Sequence, residues 1–157
     1  MQTGDVSTAE LPAGDLVILQ IAQDARSTLP VFFRLMARAG AAGSSYCVKY
    51  PLPASDTSGY CSEQVWLSGI SFKDGTYYGT LAGIPLYQEG LKKGDTIPFS
   101  ADSVTDWMYI QNGKITGGES IKYLLEKIPE NSRSQEQQKI LEMFERKTSR
   151  SGINTYR

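Results

Sequence analysis

The sequence predicts an α+β fold: a curved antiparallel sheet or small open barrel of hairpins, packed by an N-terminal helix and by C-terminal helices. Three observations point there. Apolar residues recur at helical spacing over residues 15–39, and turn signals separate short β-rich runs between Ser44 and Thr116. No helical pattern interrupts those runs, so parallel βαβ units would lack their crossover helices.

The first helix carries Leu16, Leu19, Ala22, Ala25, Leu29, Phe32, Phe33 and Met36 at steps of three and four, and Gly40 and Gly43 end it. Pro30 interrupts the pattern, so the helix kinks there or a new one starts with Ser27 or Thr28 as its cap. "SSYCVKYPL" and "YCSEQVWLSGISF" then read as strands around the loop "PASDTSG". A loop centred near Asp56 sets Cys47 opposite about Val65, which makes Cys47 and Cys61 two half-buried thiols and not a cross-strand disulfide.

Asp74-Gly75, between two β-rich runs, marks a second hairpin, because both central positions of a type I′ turn need positive φ. "IPLYQEGLKKGDTIPFS" is a loop leading into a short edge strand over residues 96–99, where Pro98 withholds a ladder donor. Residues 104–111 form the next strand, Asn112-Gly113 a further type I′ turn, and residues 114–116 the return. Gly117-Gly118 breaks that strand, and residues 119–128 form a helix that stops before Pro129. Ser134 and Gln137 fit a capping box for a last helix whose narrow apolar stripe is Ile140, Leu141 and Phe144. The tail "SGINTYR" carries no core pattern.

A chain of 157 residues fits one domain, with a core over residues 22–130 and a helix and tail over 131–157. The 16 basic and 17 acidic side chains nearly cancel, which removes the attraction that drives non-specific nucleic-acid binding. No basic segment precedes the apolar "LVILQI", and that run is far too short to span a bilayer, so the expected location is cytoplasmic. With no histidine and two cysteines the usual structural zinc sets cannot form, and the commonest general base is absent.

"AQDARSTLPVFF", "YCVKY", "EQVWLSGISFKDGTYYGTLAGIP", "LKKGDTIPFSADSVTDWMYIQNGKITGG" and "IKYLLEKIPE" together resemble the YegJ-like family, a bacterial domain of unknown function, over roughly residues 22–130. The ordered set is Glu63 and Trp66, the run over residues 79–85, Gly94-Asp95, and Asp106-Trp107 before a glycine-rich hairpin. Family members often carry a histidine after the acid, where this chain has Gln64, an amide that does not titrate. The resemblance implies a small mixed α and β domain and brings no activity with it.

Trp66 and Trp107 sit mid-strand and are expected to pack the sheet against the first helix, with an exposed partner anchor as the alternative. Tyr77 and Tyr78 must point to opposite faces. Glu63, Asp95, Asp102, Asp106 and Glu119 could gather at one end of the sheet, although no spacing matches a calcium loop or a known acid pair. "GGES" opens a helix whose amides could meet a phosphate, but no nucleotide fingerprint accompanies it and Glu119 would repel the anion.

The expected function is that of a non-enzymatic cytoplasmic immunity or antitoxin protein that occludes the active site of a bacterial toxin. Its expected contact residues are Glu63, Tyr78, Asp102, Asp106, Trp107, Tyr109 and Asn112. No catalytic residue, cofactor or metal is assigned, and the expected partner is a protein, a cognate toxin, with no nucleic acid and no membrane. The alternatives are a small carboxylate-based enzyme or metal- or ligand-binding module, and a subunit of a larger assembly.

Overall fold

The computed structural model describes residues 15–40, 45–53, 62–85, 88 and 90–144. Helix α1 (Leu16–Ala39) is followed by strands β1 (Tyr46–Pro53), β2 (Ser62–Lys73), β3 (Thr76–Leu81), β4 (Thr96–Phe99), β5 (Asp106–Gln111) and β6 (Lys114–Gly117). Helices α2 (Glu119–Glu126) and α3 (Gln135–Met143) close the described chain. The six strands form one curved, open antiparallel sheet in the order β4-β3-β2-β1-β5-β6, so the barrel alternative is not realised. Among the described residues no helix is long and apolar enough to cross a membrane.

Asp15 caps α1, its Oδ1 accepting from the amides of Val17 at 2.9 Å and Ile18 at 3.2 Å. The helix runs through Pro30 without restarting. The Ser27 and Thr28 hydroxyls donate back to the Asp24 carbonyl at 3.0 and 2.8 Å, so neither serves as a cap. Leu29 and Phe32, both buried in the core, hold the helix on either side of the proline. Burying two such side chains offsets a proline penalty of about 3 kcal/mol.

Turn chemistry sets two of the hairpins. Asp74 and Gly75 have φ of 51° and 81°, and Asn112 and Gly113 have 53° and 74°, which gives both tight turns the positive φ they require. The β1–β2 register differs from the expectation: Val65 stands opposite Tyr50, three positions from Cys47. The loop on 54–61 lies outside the described residues, as does Cys61. Burial fixes the pairing in place of loop length, because this register puts Val48, Tyr50, Val65 and Leu67 together on the α1 side. Strand β5 starts at Asp106, since Ala101–Ser103 form a 3-10 turn capped by Ser100. Helix α2 ends at Glu126, short of Ile128. The capping box of α3 is present, with Ser134 Oγ accepting from the Gln137 amide at 3.0 Å and Gln137 Oε1 accepting from the Ser134 amide at 2.9 Å. Phe144 lies just past that helix and bridges Ile115 of β6.

The sheet is packed on both faces. Phe32, Val48, Leu67, Leu81, Val104 and Trp107 form the core beneath α1, and Ile115, Ile121, Leu125 and Phe144 form a second cluster on the other face. Trp107 meets the expectation: its ring lies 5.3 Å from Phe32 and its Nε1 donates to Thr28 Oγ1 at 2.9 Å. Trp66 does not, because it alternates onto the second face and packs against that cluster. Tyr77 stacks on Phe33 at 4.7 Å, leaving Tyr78 on the opposite face.

Gly117 is the tightest point of this arrangement. Its φ is 80°, and a Cβ there would lie 2.3 Å from the Trp107 carbonyl oxygen. Gly113 has a similar φ of 74° with nothing within 4 Å of its Cβ position. Gly117→Ala is therefore expected to cost about 3 kcal/mol or more, strain plus overlap, whereas Gly113→Ala costs about 1 kcal/mol of strain alone. Urea unfolding of the two variants measures the difference, and equal costs would refute the close approach.

Candidate functional site

Strand β1 reads Val48, Lys49, Tyr50, and since its neighbours face α1, Lys49 must enter the second face. It stands beside Trp66 of β2 on one side and Asp106 of β5 on the other. Asp106 Oδ1 accepts from the Trp107 amide at 2.8 Å, and Oδ2 accepts from the Ser120 amide at 2.9 Å and the Ser120 hydroxyl at 2.5 Å. Lys49 Nζ donates to Ser120 Oγ at 3.0 Å and sits 5.7 Å from the Trp66 ring centroid. Lys49, Asp106 and Ser120 are 1%, 2% and 3% exposed. Burial pushes the Asp106 carboxyl above its ordinary 3.8, against the opposing pull of Ser120 and the Lys49 charge.

Serine, lysine and aspartate are the ingredients of nucleophilic catalysis, where a base takes the hydroxyl proton. Here the Ser120 proton is directed at Asp106, its oxygen already accepts from Lys49, and the set lies beneath the surface. The arrangement works as an internal anion site. The Ser120 amide at the start of α2, which the sequence offered to a phosphate, is taken by the chain's own carboxylate.

The residues expected to contact a partner do not form one surface. Glu63, Asp106 and Trp107 are buried. The physical reason for the last two is that the start of β5 is covered on both faces, so successive side chains both point into packing. Tyr109 is half-buried and stacks on Tyr46 at 4.8 Å. Asp102 and Asn112 are exposed but flank opposite ends of β5, roughly 20 Å apart by strand rise. Tyr78 is half-buried on the far side of β3. The register does put Glu63, Asp95, Asp102, Asp106 and Glu119 toward one end of the sheet, but on different faces and depths. Asp24, Asp106 and Glu119 line a cleft of about 210 Å³ between α1 and the start of α2. Among the described residues no three His, Cys, Asp or Glu side chains are grouped closely enough to hold a metal ion.

A second cavity, of about 290 Å³, lies on the face away from α1, lined by Cys47, Trp66 and Met108 and by the segment from Ala82 to Pro85. Burial pushes the Cys47 thiol up to about 11, so it is a neutral group there. Gln64 also lines it, its Oε1 accepting from Thr105 Oγ1 at 2.7 Å. Sequence reasoning passed over Lys49, Ser120, Cys47 and Met108 as site residues. The one available signal was a lone lysine inside the apolar strand "YCVKYPL".

A family model described as "Uncharacterized protein conserved in bacteria (DUF2314)" matches residues 15–142. The chain is 30% identical over 89 residues to a Neisseria meningitidis serogroup B protein provisionally named for ankyrin repeats, a match covering 56% of this chain and 35% of that one. It is 25% identical over 117 residues to the uncharacterized protein YegJ of Escherichia coli K12, covering 74% of this chain and 72% of that one. The chain thus spans about a third of the Neisseria protein's length and most of YegJ. No solved structure matches.

Two measurements check the buried set. Lys49→Met leaves Asp106 without its cation and is expected to cost roughly 3–5 kcal/mol of stability. For pH the sign follows from the raised carboxyl: the folded state holds the Asp106 proton more readily than the unfolded state, so this group stabilises the fold as pH falls through its folded pKa. Denaturant midpoints of the wild type should therefore gain on those of Asp106→Asn as the solution is acidified through the mildly acidic range. A wild type that loses ground instead would show the carboxylate to be the favoured buried form.

Proposed function

We propose, from the premise that this chain belongs to the DUF2314 family, that it is a non-enzymatic cytoplasmic immunity or antitoxin protein that neutralises a bacterial toxin by covering its active site. The observation that carries this reading is the sealing of Lys49, Ser120 and Asp106, the constellation among the described residues closest to a catalytic one. Substrate cannot approach a hydroxyl that is 3% exposed and already bonded on both sides. What the chain presents outward suits recognition, which needs complementary shape and charge and no chemistry of its own.

The contact surface we propose is corrected from the sequence expectation. Pairing of β2 with β1 ends at Leu67, and the strand continues as an arm to Asp74-Gly75 beside β3, whose other edge β4 covers from Tyr77 to Thr80. On that arm Phe72 is 61% exposed, and Tyr78 and Asp74 lie within the same hairpin. Aromatic side chains on a rigid element are the usual anchors of a protein interface.

Tagged chain purified from its native cells is expected to retain one stoichiometric partner whose expression alone arrests growth, with arrest relieved by co-expression of this chain. Phe72→Ala should weaken that complex about tenfold or more. A partner whose toxicity is unchanged by this chain, or the absence of a stoichiometric partner, would overturn the reading.

A further inference from the structure

We propose that the β2 edge of the hairpin arm takes a partner by strand addition: an extended peptide segment lies antiparallel to residues 70–73, with an apolar side chain opposite Phe72 and an acidic one opposite Lys73. The inference rests on the reading of the arm as the contact surface and adds how that contact is made.

The first observation is where the sheet parts. Strand β2 pairs with β1 only as far as Leu67 opposite Val48, and the two β1 residues before Val48, Tyr46 and Cys47, pair with β5 alone. Gly69, with φ of 54°, lies in the β-bulge that shifts the β2–β3 register between Ser68 and Ser71. A bulge increases the local twist and bends its strand, which turns the arm away from β1.

The second observation is the backbone this leaves open. Lys73 and Thr76 flank a two-residue turn, so they are a pair that exchanges both backbone bonds. Bonded pairs alternate along an antiparallel ladder, so Ser71 with Tyr78 is the next, and Phe72 directs its amide and carbonyl away from β3. Among the described residues no backbone group bonds to that side, and Ser71, Phe72 and Lys73 are all exposed. An open edge is a template for a further strand, in which main-chain bonds supply affinity and alternate side chains supply selectivity.

The third observation sets the occupant. Phe72 packs against Tyr77 at 4.6 Å on the α1 side, so Lys73 points to the other face. Lys73 makes no ion pair among the described residues. A second copy of the chain fits poorly here. Two arms paired about a two-fold axis at Phe72 set Lys73 diagonally across from its own copy, and so short a contact buries far less than the roughly 1,200 Å² of a stable dimer. A strand that alternates apolar and acidic side chains meets Phe72 on one face and the Lys73 ammonium on the other.

The test uses the ¹⁵N-labelled full chain and the peptide acetyl-TVEVET-amide, whose valines suit the Phe72 face and whose glutamates suit the Lys73 face. In the free chain the Phe72 amide is expected to exchange with solvent faster than those of Ser71 and Lys73. The peptide should shift the Phe72 amide saturably and slow its exchange. Methylating the valine nitrogens, which face the Phe72 carbonyl in this register, should raise the Kd about tenfold or more, whereas methylating the glutamate nitrogens changes it less than about threefold. Acetyl-TVKVKT-amide on the wild type, and the original peptide on Lys73→Glu, an exposed position that puts the fold at little risk, should each bind roughly 3–10-fold more weakly. No saturable shift up to the solubility of the peptide, equal Kd values for the two methylated peptides, or equal or tighter binding of the lysine peptide would each overturn the proposal. Peptide binding as expected in a chain that retains no toxin partner would sink the immunity reading alone, and a toxin complex that leaves the Phe72 amide in fast exchange would sink strand addition alone.

Discussion

The Asp106 carboxylate is the point on which the two faces of the molecule depend. It ends the run from the 3-10 turn into β5, places Trp107 beneath α1 by alternation, and receives the first turn of α2 from the other side. A carboxylate at a helix N-terminus is favoured by the helix dipole, and this one also satisfies a backbone amide that would otherwise be buried without a partner. Lys49 completes the balance of charge from the neighbouring strand. Such a buried set adds little net stability over a well-packed apolar one, but removing one member exposes the full cost of the others. Its contribution is to specify where α2 lands.

That landing requires a backbone few residues can adopt. Gly117 and Gly118 have φ of 80° and 66°, which turns the end of β6 directly into α2 with the Gly118 amide donating to the Trp107 carbonyl at 2.8 Å. A longer connection would carry Ser120 away from Asp106. The two glycines and the acid thus act as one unit, although Asp106 and Gly117 stand eleven positions apart in the chain.

Much of the fold was legible because its signals are local. Asp74-Gly75 and Asn112-Gly113 specify turns by φ alone, and Ser134 with Gln137 specifies a helix start within four residues. The parts that were not legible depend on distant partners. Lys49 and Ser120 are 71 positions apart, so neither reads as polar core until the register is known. The β1–β2 pairing was misjudged because the loop was used to set it when burial decides it. Pro30 looked like a break because propensity was weighed without Leu29 and Phe32 holding both sides. Asp106, and Trp107 in its alternative role as a partner anchor, were read as surface for a related reason: alternation tells which way a side chain points and not whether a helix waits there.

An open sheet leaves two strand edges, and in this chain each is defended in its own way. Strand β4 is four residues long and has Pro98 in its middle, exposed, as is Thr96. At the other margin the Phe144 backbone makes a parallel bridge to Ile115, alongside β6. An unguarded edge is a template on which a second molecule can add strands and seed aggregates, and a short, proline-bearing strand offers it few backbone donors. Keeping the second margin closed falls to the Phe144 bridge, so fraying of the end of α3 would release the latch against self-association.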